Sequence, residues 1–255
     1  MLDLGRFFRT HKRALGIVGT AAAAVLMLWA VNSPVLVGAS ATQRQLPIYS
    51  VERSDKRVAL SFDAAWGNED TQTLIDILQS HGVKTTFFVV GDWAEKYPDS
   101  VKALSDAGFE IMSHSSHHSH FSMMSADEIV SDLRACNEKI SAITGVTPTL
   151  FRCPYGEYDD HVIQAVNSIG MTAIQWSVDS LDWKGISADE ICSRVLKNVE
   201  SGSIVLFHNA AEHTPEALGR IIETLQSQGY TIVPVSEILL DGNTRIDHTG
   251  KQCPI

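Results

Sequence analysis

The stretch RVALSFDAAWGNEDTQTLIDILQSHGVKTTFFVV, residues 57–90, contains one full unit of the pattern that decides the fold. A β-rich run, RVALSF at 57–62, precedes a segment with helical character, and a second β-rich run, KTTFFVV, occupies 84–90. Gly82 lies between the helical segment and the second run, where a left-handed helix C-cap is expected. The order strand, helix, strand predicts a parallel crossover unit.

The same unit repeats along the rest of the chain. Further β-rich runs are FEIMS (109–113), TLFR (149–152), TAIQWSV (172–178), SIVLF (203–207) and YTIVPV (230–235). Capping boxes, Ser125 with Glu128 and Ser187 with Glu190, mark the starts of two intervening helices. Seven strands alternating with helices predict a parallel α/β fold, either an open doubly wound sheet or a barrel. Because no G-x-G-x-x-G or Walker-type loop follows the first strand, we expect no nucleotide ligand.

The composition indicates a globular body that is strongly acidic. Of 255 residues, 44% are hydrophobic, which is enough for a sizeable core. The formal net charge is −10, but residues 1–13 hold four basic residues and one acidic residue, so the remainder carries −13. Such a body repels a phosphate backbone, and we therefore expect no nucleic-acid partner.

The N-terminal region has the pattern of a membrane anchor. Residues 14–37 contain 24 residues without a charge, long enough as a helix to span a bilayer at ~1.5 Å per residue. The basic residues in 1–13 precede this segment, so the positive-inside rule predicts a cytoplasmic tail at 1–13 and an extracytoplasmic remainder. The alternative is a secreted protein, because the small-residue run at 39–41 resembles a signal-peptidase site.

These features predict five regions: a basic tail (1–13), a transmembrane signal-anchor (14–37), a linker (38–55), an α/β domain (56–236) and a C-terminal tail (237–255). In an oxidising compartment the four cysteines could form disulfides, with three possible pairings.

Polar side chains follow the predicted strands. They are Asp63 after the first strand, His114 and His118 after the third, Arg152 after the fourth, Asp179 and Asp182 after the fifth, and His208 after the sixth. Because the carboxyl ends of strands in a parallel barrel share one face, these residues are expected to form one site. The spacing of His114 and His118 suits two imidazoles on one metal ion, with His117 and His120 as alternative ligands.

Five ordered segments resemble the motifs of NodB-type polysaccharide deacetylases, carbohydrate esterase family 4. They are Ser61-Phe62-Asp63, His114-Ser115-Ser116-His117-His118, Arg152-Cys153-Pro154-Tyr155-Gly156, Asp179 to Trp183, and Leu206-Phe207-His208. The resemblance spans residues 56–236. It implies a distorted (β/α)7 barrel and metal-dependent hydrolysis of N-acetyl groups from an N-acetylated sugar polymer.

The resemblance also implies roles for residues around the attacking water. His114 and His118 would hold a divalent metal ion, typically zinc, that polarises the amide carbonyl and activates the water. Asp63 would accept the proton from that water, and Arg152 would orient Asp63 and keep it ionised.

The remaining motif residues are implied to act on the acyl group and the leaving amine. The backbone N–H of Tyr155 would stabilise the oxyanion, and Pro154 would fix the turn that aims it. His208 would protonate the amine, with Asp179 setting its tautomer and raising its pKa. The apolar wall for the acetyl methyl group would be Trp183 and Leu206.

Ala64 is a departure from the family motif, in which a second Asp usually supplies the third metal ligand. An alanine side chain offers no donor atom, so two histidines alone would hold zinc weakly. Glu69 or Asp70 could fold back to replace it, water or Asp63 could complete the coordination, or the site could be metal-free. Asp70 could instead cap the following helix.

The segment 62–67, Phe-Asp-Ala-Ala-Trp-Gly, together with the single N-terminal membrane segment, is similar to the sporulation-associated PdaB-type branch of the family. That similarity implies action on peptidoglycan during spore formation. The expected activity is thus N-deacetylation of a cell-wall glycan. A catalytically degenerate barrel that binds glycan or takes part in envelope assembly is the alternative, and it depends on Ala64.

Overall fold

The computed structural model describes residues 44–255. The predicted tail (1–13) and membrane segment (14–37) lie outside the described residues. Within 44–255, no helix has both the length and the apolar character needed to cross a membrane. The four cysteines of this range are buried and free, so none of the possible disulfide pairings is present there.

Parallel strands form the centre of the described fold. The strands are β1 (Ser50–Val51), β2 (Arg57–Ala64), β3 (Thr86–Val89), β4 (Glu110–Ser113), β5 (Leu150–Phe151), β6 (Thr172–Ala173), β7 (Val178–Asp179), β8 (Ile204–His208), β9 (Thr231–Ile232), β10 (Thr244–Ile246) and β11 (Lys251–Pro254). The main sheet has the order β6-β5-β4-β3-β2-β8-β7, and β9 pairs with the start of β2. All of its pairings are parallel, which confirms the predicted parallel α/β class.

Helices connect the strands as the sequence pattern predicts. They are α1 (Thr71–Ser80), α2 (Gly91–Lys96), α3 (Pro98–Asp106), α4 (Ala126–Thr144), α5 (Asp160–Ser168), α6 (Ala188–Asn198), α7 (Thr214–Ser227) and α8 (Val235–Ile238). Both predicted capping boxes are present, one at Ser125 and one at Ser187. Helix α4 ends at Gly145, whose φ of 75° is left-handed and favours glycine.

The predicted fifth strand, 172–178, is divided in the structure. Its first part is β6 and its last residue begins β7, and these two strands are the opposite edges of the main sheet. Between them the backbone bonds elsewhere: the Gln175 N–H donates to the Ile48 carbonyl at 2.7 Å, and the Ser177 N–H donates to the Ile204 carbonyl at 3.0 Å. The sheet is therefore a curled half-barrel whose two edges come from one short segment.

The folded unit extends beyond the predicted boundaries at 56 and 236. Strand β1, in the predicted linker, pairs with β11, in the predicted tail, and β10 pairs antiparallel with β11. Ile48 also bridges to Ile174, next to the edge strand β6. The compact unit thus runs from Gln45 to Ile255. Local sequence patterns did not indicate the pairing of β1 with β11 because these strands are about 200 residues apart.

Side-chain alternation on the central strands separates the core from the site. Phe62 lies in the cluster that packs against the helices, and its ring stacks on Phe87 at 4.8 Å and on Phe207 at 5.4 Å. Ala64 belongs to the same cluster. Because alternate residues of a strand point to opposite faces, Asp63 faces the interior of the half-barrel.

Candidate active site

A cavity of about 450 Å³ opens at the carboxyl ends of the parallel strands. Its walls are Asp63, Ala65, Trp66, His114, His118, Tyr155, Gly156, Trp176, Asp179, Trp183, Leu206 and His208. The structure thus brings eight of the predicted site residues to one cavity. Arg152 is fully buried and Pro154 is buried, and neither lines the cavity. The register of the sheet explains part of this convergence, because Asp63 on β2 pairs directly with His208 on β8.

Asp63 is held by a buried ion pair. Arg152 Nη1 donates to Asp63 Oδ1 at 2.8 Å, and Arg152 Nη2 donates to Ser61 Oγ at 2.8 Å. The guanidinium also lies 4.1 Å from the centre of the Phe88 ring, so its orientation is fixed from two sides. Burial opposes ionisation of Asp63, but the charge of Arg152 and its hydrogen bond, together with the charge of His208, outweigh burial and lower the pKa of Asp63. Asp63 is therefore a carboxylate at neutral pH.

His114 presents a lone pair toward Asp63. Its Nδ1 lies 2.8 Å from the Arg152 carbonyl oxygen, which can only accept a hydrogen bond, so Nδ1 carries the proton. Its Nε2 lies 3.5 Å from Asp63 Oδ2. Burial lowers the pKa of His114, so the ring is neutral and Nε2 is unprotonated.

His118 is the second imidazole of the cavity. Its ring centre is 5.0 Å from that of His114, and burial, followed by repulsion from His114, lowers the pKa of His118 to about 4. The alternative ligands do not line the cavity. His117 pairs with Asp92 at 2.8 Å and His120 pairs with Glu157 at 2.9 Å.

Asp182, not Asp179, orients His208. Asp182 Oδ1 lies 2.8 Å from His208 Nδ1, and Asp182 Oδ2 accepts the backbone N–H of His208 at 2.8 Å. Asp179 Oδ1 instead accepts the N–H of Leu181 at 2.9 Å while its side chain lines the cavity. The prediction that Asp179 sets the tautomer of His208 is wrong, because Asp182 makes the contact to Nδ1 after the left-handed Leu181 (φ 55°). The charge of Asp179 does contribute to raising the pKa of His208.

The surroundings of His208 favour its protonated form. Burial lowers its pKa, but the hydrogen bond to Asp182 and the charge of Asp182 outweigh burial, and the pKa of His208 is raised. Asp182 is almost completely buried and also accepts a hydrogen bond from Thr214 Oγ1 at 2.7 Å. The cavity therefore contains a carboxylate and an imidazole whose pKa values are shifted in opposite directions, as expected for a base and an acid.

Strained backbone is concentrated around the cavity. Six non-glycine residues between 44 and 255 have φ between 51° and 71°. Five of them lie in loops at the carboxyl ends of the strands: Ser115, His118, Tyr155, Leu181 and Ala210. Such conformations cost about 1–3 kcal/mol each and persist where the surroundings impose them, which is typical of functional sites.

The described donor set does not fit a tightly held metal ion. Within residues 44–255, no three His, Cys, Asp or Glu side chains are grouped closely enough to hold one. Ala64 is buried in the helix-facing core. Glu69 Oε2 accepts the N–H of Asn68 at 2.9 Å, and Asp70 Oδ2 accepts the N–H of Ala210 at 2.9 Å. Neither Glu69 nor Asp70 is grouped with His114 and His118 closely enough to complete a three-ligand site in the described structure.

Two residues that the sequence analysis did not assign also shape the site. Trp66 lines the cavity and is 54% exposed, and Asn209 bonds to the loop that carries Trp66. Asn209 directly follows His208, and this position was the only sequence signal for it.

Comparisons with known proteins agree with this geometry. Residues 50–174 match the family model for polysaccharide deacetylases. The chain is 33% identical to a peptidoglycan-N-acetylglucosamine deacetylase of Bacillus cereus, over 74% of this chain and 70% of that protein. It is 31% identical to the peptidoglycan-N-acetylmuramic acid deacetylase PdaA of Bacillus subtilis, over 78% and 77% respectively. Some matched relatives are longer, and the chain spans 60% or 41% of their length.

Among solved structures, a Bacillus anthracis protein described as a pseudoenzyme of carbohydrate esterase family 4 aligns with a TM-score of 0.73. It is 35% identical, and the alignment covers 75% of this chain and 68% of that one. A mutant of that protein is described as having restored enzymatic activity.

Proposed function

The chain belongs to the polysaccharide deacetylase family, and on that premise we propose that it hydrolyses N-acetyl groups from a cell-wall glycan, with peptidoglycan as the substrate. The observation that carries the proposal is the pairing of Asp63 and His208 in one cavity, with pKa values shifted in opposite directions. A module that only binds glycan needs neither a buried carboxylate base nor an imidazole acid.

The base is Asp63. Its carboxylate accepts the proton of a water molecule as that water attacks the acetyl carbonyl carbon. Arg152 keeps the carboxylate ionised and fixes the direction of its oxygens through the 2.8 Å hydrogen bond to Oδ1. When Asp63 Oδ2 has taken up the proton, it can donate a hydrogen bond to Nε2 of the neutral His114, which is an acceptor.

The acid is His208. Its Nε2 donates a proton to the amine nitrogen as the carbon–nitrogen bond breaks, so acetate and a free amine leave the site. Asp182 accepts the hydrogen bond from Nδ1, which fixes the tautomer and stabilises the imidazolium before transfer. The backbone N–H of Tyr155, in the turn that Pro154 begins, stabilises the oxyanion of the tetrahedral intermediate. Trp183 and Leu206 form the wall against the acetyl methyl group.

Peptidoglycan is favoured as substrate because both curated relatives described above act on it. One is named for the N-acetylglucosamine unit and the other for the N-acetylmuramic acid unit. We assign no step to a metal ion, because the described residues do not complete a site for one.

A second candidate is a barrel that binds glycan without turnover. The buried Ala64 and the incomplete donor set favour it, as does the structural similarity to a protein described as a pseudoenzyme. The two candidates differ in acetate release and agree in glycan binding.

We further propose that residues 14–37 anchor the chain in the membrane, with residues 44–255 outside the cytoplasm and a role in spore formation. The uncharged 24-residue stretch after a basic tail supports the anchor. The similarity of residues 62–67 to the sporulation-associated PdaB-type branch supports the role in spore formation. Resistance of the chain to alkaline extraction from membranes tests it, and release into the soluble fraction would contradict it. Loss of spore-wall deacetylation in a deletion strain tests the role in sporulation.

The deacetylase proposal is tested by acetate release from N-acetylated peptidoglycan by the full chain. We expect release by the wild type, a loss of at least about 100-fold in Asp63→Asn, and a similar loss in His208→Gln. Pull-down on insoluble peptidoglycan serves as the control for substrate binding. Binding without acetate release by the wild type would support the second candidate instead.

A further inference from the structure

Trp66 is an exposed tryptophan at the mouth of the catalytic cavity. Among the Trp, Tyr and Phe side chains of residues 44–255, those more than half exposed are Trp66, Tyr155 and Trp183, and all three line this cavity. By contrast, Trp93 is only 2% exposed and packs in the core. Exposed aromatic side chains gathered at one cavity indicate a ligand with an apolar face.

The Trp66 indole begins a row of rings along one side of the cavity. Its ring centre is 5.5 Å from that of His118, in an edge-on contact at 82°. His118 contacts Tyr155 at 4.5 Å, and Tyr155 stacks on His120 at 4.3 Å with an interplanar angle of 11°. The row continues past the cavity wall, because His120 lies outside it. An extended ligand is therefore favoured over a compact one.

The loop that carries Trp66 is held in place through its backbone. Asn209 Nδ2 donates to the carbonyl oxygens of Trp66 and Gly67, each at 2.8 Å, and Asn209 Oδ1 accepts the N–H of Ala65 at 3.2 Å. Trp93 Nε1 also donates to the Gly67 carbonyl oxygen at 2.5 Å. These bonds fix the position of Trp66 without using its indole ring, and the exposed part of the ring remains available to a ligand.

The loop that carries Trp66 is connected to the catalytic groups by adjacency in the chain and by a backbone hydrogen bond. Asn209 follows His208 directly, and its backbone N–H donates to the Asp63 carbonyl oxygen at 3.1 Å. Trp66 follows Asp63 by three residues. A ligand resting on the indole is thus placed by the same short segments that carry the base and the acid.

We propose that Trp66 is a specificity-determining residue that stacks on a pyranose ring of the glycan chain, and that Asn209 positions it. This inference rests on the proposed function for the identity of the ligand. The axial C–H groups of a pyranose form an apolar face that matches an indole, and a chain of such rings matches the row that leads away from the cavity. A free acetylated monosaccharide offers one such face, so the oligomer is the preferred ligand.

Binding of chitotetraose, a soluble oligomer of N-acetylglucosamine, tests the proposal. Isothermal titration uses the full chain carrying Asp63→Asn, so that no turnover occurs during the measurement. In this parent we expect Trp66→Ala to weaken binding about tenfold and Trp66→Phe to weaken it by less than about threefold. Asn209→Asp, which replaces the donor to two carbonyl oxygens by an acceptor, is expected to weaken it about fivefold.

Two controls separate ligand binding from folding. Val146→Ala removes a 61% exposed apolar side chain away from the cavity and should leave binding unchanged. The melting temperature of Trp66→Ala should match that of the parent, because the loop is held by its backbone. In the active chain, Trp66→Ala should raise the KM for the oligomer about tenfold and change kcat by less than about threefold.

Chitotetraose binding and acetate release respond separately to the loss of the Trp66 ring and to the loss of catalysis. Unchanged chitotetraose affinity in Trp66→Ala, or no chitotetraose binding by the parent, overturns the stacking inference even if acetate is released. Trp66-dependent binding without acetate release by the wild type supports the stacking inference and contradicts the deacetylase.

Discussion

Replacing Asp182 with asparagine tests which carboxylate controls His208. The side chains have the same shape, but the variant removes the charge that faces His208 Nδ1 at 2.8 Å. A general acid contributes about 10²–10⁴ in rate, so we expect kcat to fall about 100-fold, or ~2.7 kcal/mol in activation free energy. The matched control is Asp179→Asn, which removes a carboxylate of the same cavity that bonds to Leu181 instead. We expect that variant to lose less than about fivefold.

The pH profile of acetate release gives the second readout. His208 must be protonated to act as the acid, so activity is lost as the pH rises through its pKa. Because Asp182 raises that pKa, Asp182→Asn should move the alkaline limb to lower pH. The raised pKa of His208 also stabilises the fold at low pH, and this contribution is lost as the pH rises through the folded-state pKa. In Asp182→Asn this contribution to stability at low pH should become smaller.

Stability must be measured beside activity, since Asp182 accepts four hydrogen bonds. The donors are His208 Nδ1, His208 N, Thr214 Oγ1 and Trp183 N. An asparagine amide turns its NH₂ group toward at least one of them, so the free energy of unfolding should fall by about 1–3 kcal/mol. The assay is made well below the melting temperature of both variants. An alkaline limb that moves in Asp179→Asn and stays in place in Asp182→Asn would refute the assignment.

Three further predictions concern stability and metal binding. Arg152→Met should lower the free energy of unfolding in urea by about 3–5 kcal/mol, because it leaves the Asp63 carboxylate buried without its partner. Adding Asp63→Asn should restore part of this loss, and no restoration would contradict the reason given. Zn²⁺ should bind the metal-stripped full chain with a Kd no tighter than about 1 µM by calorimetry. Structural zinc sites bind more tightly, with binding free energies of about 10–16 kcal/mol. Nanomolar affinity would show that a third ligand exists. Gly202→Ala should destabilise the chain by more than about 1 kcal/mol, because its φ is 88° and a Cβ would lie 1.8 Å from the Val51 carbonyl oxygen. Gly242→Ala, with φ 78° and open space, should lose less in the same melt, and equal losses would exclude the clash as the cause.

Local sequence signals predicted the elements that depend on local physics. The capping boxes at Ser125 and Ser187 and the left-handed Gly145 are formed within one turn of a helix, and all three are present. The convergence of polar residues followed from one topological rule, that parallel strands share a carboxyl edge. Asp63 and His208 meet for this reason, although 145 residues separate them in the chain.

The features that the sequence did not indicate depend on contacts between distant segments or on the direction of a single side chain. The pairing of β1 with β11 joins two segments whose local patterns are those of a linker and a tail. The choice between Asp179 and Asp182 depends on the left-handed Leu181 between them. No repeating pattern in the sequence indicates the hydrogen bonds from Asn209 to the loop of Trp66.

The pH dependence of kcat/KM for acetate release from N-acetylated peptidoglycan tests the central claim most directly, because it reports the base and the acid together. Activity should be lost at low pH as Asp63 is protonated, below the usual range for a carboxyl group, since its pKa is lowered. It should be lost again at high pH as His208 is deprotonated, above the usual range for an imidazole, since its pKa is raised. A bell-shaped profile with a broad plateau is therefore predicted. Absence of acetate at every pH, or a profile that Asp63→Asn and His208→Gln leave unchanged, would contradict the account.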